Sequence, residues 1–168
     1  MMRYYDTNIE NVKLRETKEE DAALIFSFIK ELAEYEKMTN DVIATEETIR
    51  ESVFNNNRAE AVIIELDEKP IGFALYFYNF STFIGRSGLY LEDLFIRKEY
   101  RGRGIGREVF KFLAKRALEQ GCKRMEWACL DWNEPSIKFY KSLGAIPMDE
   151  WTVYRLTEDK IEQLAINN

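Results

Sequence analysis

The chain has 168 residues, 46% of them hydrophobic, which is enough for one α/β domain with a substantial core. Its 24 basic and 30 acidic residues leave a net charge of −6, which disfavours a role on nucleic acid or on an anionic membrane and suits a cationic small partner. No apolar run approaches the roughly 20 residues that span a bilayer, and the N-terminus lacks signal-peptide organisation, so a cytoplasmic location is expected.

Residues 1–11 are polar and aperiodic and read as an N-terminal arm, leaving 12–168 as the single domain. Val12 to Arg15 reads as a short strand. Thr17-Lys18-Glu19-Glu20 has the spacing of a capping box and introduces a helix with Leu24, Ile25, Phe28, Leu32 and Tyr35 on one side. A second helix is expected from Thr45. Ala61 to Leu66 and Ile71 to Tyr78 read as strands joined by the turn Asp67-Glu68-Lys69-Pro70, and Leu89 to Ile96 as the next strand. A helix follows Gly106 and stops at Gly121, with Val109, Phe112, Leu113 and Ala117 turned inward. Lys123 to Leu130 reads as a strand. Asn133-Glu134-Pro135-Ser136 caps a further helix that runs to Gly144. Trp151 to Leu156 is expected to close the sheet, and Thr157 to cap a last short helix.

Two features carry chemistry. Glu92 and Asp93 interrupt an otherwise apolar strand, where an isolated buried charge is costly. Adjacent strand residues face opposite ways, so only one of them looks into a given cleft unless a bulge turns the strand. Directly after that strand, Arg101-Gly102-Arg103-Gly104-Ile105-Gly106 opens a helix. Unpaired N–H groups, a positive helix end and two arginines there suit a phosphate or pyrophosphate. The turn is neither a P-loop, since no Gly-Lys-Ser/Thr follows, nor a dinucleotide fingerprint, since Arg107 stands where the third glycine belongs. The chain has no histidine, so proton transfer falls to carboxylates, tyrosine, amines or water. Cys122 and Cys129 are poorly spaced for zinc or for a disulfide frame, and no metal is expected.

Arg101 to Gly106 matches the Arg/Gln-x-x-Gly-x-Gly/Ala signature of the GCN5-related N-acetyltransferases. Together with Glu31-Leu32-Ala33-Glu34-Tyr35-Glu36, Tyr90 to Phe95 and Trp132 to Lys141, it makes the chain resemble the spermidine/spermine acetyltransferase branch and its thialysine-acetylating relatives. The resemblance runs from about Val12 to Leu156. It implies the GNAT fold, a mixed and mostly antiparallel central sheet with splayed middle strands, flanked by helices. It further implies acetyl-CoA as co-substrate, a small primary amine as acceptor and a homodimer. By the same resemblance, the backbone of Leu94, Phe95 and Ile96 pairs with the pantetheine arm. The turn of Arg101, Gly102, Arg103, Gly104, Ile105, Gly106 and Arg107 holds the pyrophosphate. Asn133, Pro135 and Ser136 lie along the coenzyme, and Tyr140 stands at the sulfur as general acid. Glu92 is the base, directly or through water, and Tyr35, Glu36, Asp93, Glu126, Trp127, Ala128 and Glu150 belong to the acceptor site.

The polyamine pocket departs from that pattern. Ser81-Thr82-Phe83-Ile84-Gly85 lacks the acidic residue expected before its turn, and Thr152 stands where a late glutamate is expected, with Asp149 and Glu150 beside it. The acceptor is therefore left open among a diamine, a polyamine and a thialysine-like amino acid. An acyl-CoA-binding protein of this fold without amine turnover is the competing reading.

Overall fold

The computed structural model describes residues 2–166. The chain falls into two compact units with their boundary between Ala128 and Cys129. The first unit is built on a six-stranded sheet: β1 (Tyr4–Asp6), β2 (Val12–Glu16), β3 (Glu60–Leu66), β4 (Lys69–Ser81), β5 (Arg86–Ile96) and β6 (Met125–Trp127), paired in that order. All neighbours are antiparallel except β5 and β6, which are parallel. Helices α1 (Ala22–Tyr35), α2 (Glu46–Ile49) and α3 (Ile105–Glu119) complete the unit. The expected α/β class and mixed sheet are therefore present.

Alternation along β3, β4 and β5 assigns the two faces of the sheet. Ala61, Ile63, Phe73 and Phe95 pack with Ile25 and Phe28 of α1 on one face. Tyr76 faces the other way, where its ring lies 6.4 Å from Phe112 of α3. The β3–β4 turn is tight because Asp67 and Glu68 both take positive φ, 50° and 62°, the geometry of a two-residue hairpin.

Several local details differ from the sequence expectations. The segment expected as an arm contributes β1, whose Tyr5 pairs with Leu14 and lies with its ring tilted by 57° at 4.8 Å from that of Phe112. The helix entry is not capped by Thr17, whose hydroxyl donates to the Ala61 carbonyl at 3.0 Å. The Asp21 carboxylate instead accepts the Lys18 N–H at 2.9 Å and two hydrogen bonds from Arg15 at 2.8 and 2.9 Å, while Arg15 also donates to Glu65 at 2.7 Å. A buried arginine captures Asp21 and so moves the cap along the chain. Thr45 does cap α2, which widens into a π-helical turn over Arg50–Asn55.

The second unit holds α4 (Glu134–Ser142) and α5 (Glu158–Ile166). Residues 151–156 form no strand and are exposed. Their alternation supplies strand propensity, but a strand exists only where a neighbouring edge accepts its hydrogen bonds.

Gly72 faces Phe95 so closely that a Cβ there would lie 2.2 Å from the Phe95 carbonyl oxygen. Gly72→Ala should lower unfolding free energy by about 1–3 kcal/mol in urea titrations; an unchanged midpoint would contradict this packing.

Candidate active site

The site starts from a change in pairing along β5. On one side β5 stays bonded to β4 as far as Ile96. On the other, β6 pairs only with Leu89, Tyr90 and Leu91. Among the described residues, no strand covers the outer edge of β5 from Glu92 to Ile96. That free edge offers backbone donors and acceptors to an extended ligand.

Glu92 is the extra residue of a β-bulge: Leu75 lies opposite Asp93, whereas the next residue, Tyr76, lies opposite Leu91. The bulge changes which side chains share a face. Leu91 looks with Tyr76 toward α3, Asp93 looks with Leu75 toward α1, and Glu92 is exposed. Asp93 is half-buried, and no cation is paired with it among the described ion pairs. Burial first, then the charges of Glu92 and Glu36, push its carboxyl up to about 7. Burial also raises the carboxyl of Glu36, directly after α1. Together the three carboxylates make this stretch locally negative, which suits an ammonium.

Past β5 the chain turns into the glycine-rich segment. Gly102 and Gly104 take φ of 76° and 82°, a region open to glycine and strained for other residues. The Arg107 and Glu108 N–H groups close onto the Gly104 carbonyl at 3.1 and 3.3 Å. Those from Gly102 to Gly106 have no backbone acceptor among the described residues. A run of N–H groups without backbone acceptors at the start of a 15-residue helix forms a cradle of the kind that can receive an anion. The free strand edge and the cradle lie in sequence, so they fit an amide-bearing arm that ends in a pyrophosphate.

Arg101 does not extend into that cradle. Its Nε donates to the Ile96 carbonyl at 2.6 Å, and its guanidinium lies 4.5 Å from the Tyr35 ring and 5.5 Å from that of Phe95. A cleft of about 570 Å³ opens here, lined in part by Glu31, Glu34, Tyr35 and Arg97. Arg97, which sequence reasoning passed over, donates to Glu31 at 2.8 and 2.9 Å and to the Pro70 carbonyl at 3.1 Å. It rivets α1 to the end of β5. The only sequence signal was Glu31 at the head of the Glu-Leu-Ala-Glu-Tyr-Glu run.

On β6, Glu126 lies 2.9 Å from Arg124 in an ion pair, and Trp127 packs edge-on against Phe110 at 4.8 Å. Ala128 ends the first unit. In the second unit the Asn133 side chain accepts the Ser136 N–H at 3.4 Å and caps α4, with Pro135 in the first turn. Tyr140 sits on α4 with its ring 5.6 Å from that of Phe139, and Glu150 is exposed. The first unit thus gathers Tyr35, Glu36, Glu92, Asp93, the free edge and the cradle; the second carries Asn133, Pro135, Ser136, Tyr140 and Glu150.

The sequence pattern of the Acetyltransferase (GNAT) family matches residues 25–145. The chain belongs to that family. It is an N-acetyltransferase by descent, and the matched stretch runs from within α1 through α4, taking in the free edge and the cradle. The chain is 37% identical over 167 residues to thialysine N-epsilon-acetyltransferase of Sus scrofa, covering 92% of this chain and 98% of that one. It is 29% identical to spermidine/spermine N(1)-acetyltransferase-like protein 1 of Homo sapiens, over 95% of this chain but 24% of that protein. Among solved structures, an integron cassette protein from the mobile metagenome of V. cholerae superposes with a TM-score of 0.77 at 28% identity, over 95% of this chain and all of the other.

The raised Asp93 carboxyl has a stability consequence. The folded chain holds its proton up to about pH 7, whereas an unfolded aspartate releases it near 3.9, so ionisation costs stability progressively as pH rises between these values. Asp93→Asn should therefore raise the melting temperature more at pH 8 than at pH 5. An equal effect at both would remove the burial penalty from Asp93.

Proposed function

We propose that the chain transfers an acetyl group from acetyl-CoA directly to a primary amine of a small cationic acceptor, a diamine, polyamine or thialysine-like amino acid. The half-buried, negatively polarised Asp93, set beside the free β5 edge, carries this reading. An alkylammonium has a pKa near 10.4, so offering a neutral amine at pH 7.5 requires overcoming about 3 units, or about 4 kcal/mol. Attracting the cation is the task of Glu36 and Asp93. Accepting its proton falls to Glu92, the exposed bulge residue, directly or through water, with Asp93 as the carboxyl whose affinity for a proton is matched to neutral pH.

The coenzyme supplies an activated thioester, and the chain supplies its placement. The backbone of Leu94 and Ile96, which faces the free edge on either side of the β4-bonded Phe95, pairs with the pantetheine arm, and the Leu94 N–H donates to the oxygen on which negative charge develops. The Arg101 to Arg107 turn holds the pyrophosphate, with Asn133, Pro135 and Ser136 further along the coenzyme. Tyr140 donates its hydroxyl proton to the departing thiolate, whose thiol has a pKa near 8.5. Trp127, Ala128, Glu126 and Glu150 complete the acceptor surroundings. The same reading makes the enzyme cytoplasmic and a homodimer, the dimer alone being supported by apolar side chains left in solvent within the second unit: Trp151 is 77% exposed and Tyr154 92%.

The deciding experiment is thiol release from acetyl-CoA against thialysine, short diamines and spermidine. Turnover with at least one is expected; tight coenzyme binding with no turnover on any would leave the acyl-CoA-binding reading in its place. Tyr140→Phe should reduce kcat about 10- to 1,000-fold, the usual worth of general acid catalysis, with coenzyme affinity little changed. In the wild type, kcat/KM should rise with pH through about 7 as Asp93 loses its proton, and Asp93→Asn should abolish that limb. A limb that survives the substitution belongs to another group.

A further inference from the structure

The Arg97 N–H bonds to the Ile71 carbonyl of β4 at 2.9 Å. The Ile96 carbonyl belongs to the same peptide unit and points the other way, so it is presented to the opposite, free edge. That carbonyl is already taken: Arg101 folds back over the turn and donates Nε to it at 2.6 Å. The guanidinium is steadied by the faces of Tyr35 and Phe95 at 4.5 and 5.5 Å, planar contacts that suit arginine better than lysine. Five residues separate donor and acceptor, and glycine at 102 with φ of 76° follows the arginine, so the side chain returns to the strand while the backbone goes on into the cradle.

We propose that Arg101 is a displaceable plug on the coenzyme edge and thereby a specificity-determining residue. The proposal rests on the acetyl-CoA reading above. In the structure the guanidinium satisfies the Ile96 carbonyl and rests on Tyr35. An incoming pantetheine amide N–H competes for the same carbonyl, so any ligand that pairs with the edge must first release a charge-assisted hydrogen bond. A ligand with a pyrophosphate compensates, because the released guanidinium gains an anion in the neighbouring cradle. A ligand that is pantetheine alone offers nothing in return. The plug thus favours coenzyme A thioesters over thioesters carried on bare pantetheine, because its release is compensated only where the ligand carries a pyrophosphate.

The test compares coenzyme A and pantetheine, each titrated calorimetrically into the wild type, Arg101→Ala, Arg101→Lys and Tyr35→Leu. In Arg101→Ala, coenzyme A should bind about 10-fold more weakly, while pantetheine should bind about 3- to 10-fold more tightly, the scale of one charge-assisted hydrogen bond gained or lost. Arg101→Lys, which keeps the charge but lacks the Nε donor and the planar face, should also tighten pantetheine. So should Tyr35→Leu, which removes the resting place without touching the cradle. If Arg101→Ala does not fold, the other two variants carry the comparison. Pantetheine binding that is unchanged or weaker in the folded variants overturns the plug and leaves Arg101 an ordinary pyrophosphate contact. A wild type that binds no coenzyme A overturns the coenzyme reading itself, and the plug with it.

Discussion

The unequal pairing of β5 is the constraint on which the site depends. Its bonds to β4 run to Ile96, but those to β6 stop at Leu91. A strand bonded on both sides has no backbone to offer a ligand, and one bonded on neither has no fixed position. A strand held rigidly on one side and bare on the other combines order with open hydrogen-bonding groups. The bulge at Glu92 falls where the second partner is lost, so the same short stretch ends the pairing and redirects the acidic side chains.

The electrostatics around that strand are arranged in two opposite ways. At its end Arg97 and Glu31 neutralise each other through paired hydrogen bonds at 2.8 and 2.9 Å, joining α1 to β5. One bulge away, Asp93 is placed near Glu36 and Glu92, and burial raises its carboxyl. The first arrangement fixes geometry. The second stores an unfavourable charge, which is how functional sites differ from structural ion pairs.

Much of the fold was legible because its signals are local. Thr45 and Asn133 cap helices in the structure as their sequence contexts predict, and the Asp67–Glu68 turn joins two strands with the expected polarity. The misreadings share one cause. Thr17 loses its capping role because Arg15, itself anchored to Glu65 50 residues away, holds Asp21 in a buried cluster. Residues 4–6 look aperiodic because an edge strand with one neighbour needs no full apolar face. Residues 151–156 have the pattern of a strand, yet among the described residues no strand pairs with them.

Sequence alone determined the family, the glycine-rich turn and the identity of the two acidic neighbours, since glycine spacing, charge and strand-to-helix order are properties of contiguous residues. Only the tertiary structure decided that Asp93 faces α1 while Glu92 lies exposed, because a bulge is a mismatch between two strands and is written in neither. Only it decided, too, that Arg101 bonds the Ile96 carbonyl. That choice belongs to a guanidinium with several reachable partners, and the Tyr35 face brought alongside by α1 settles it.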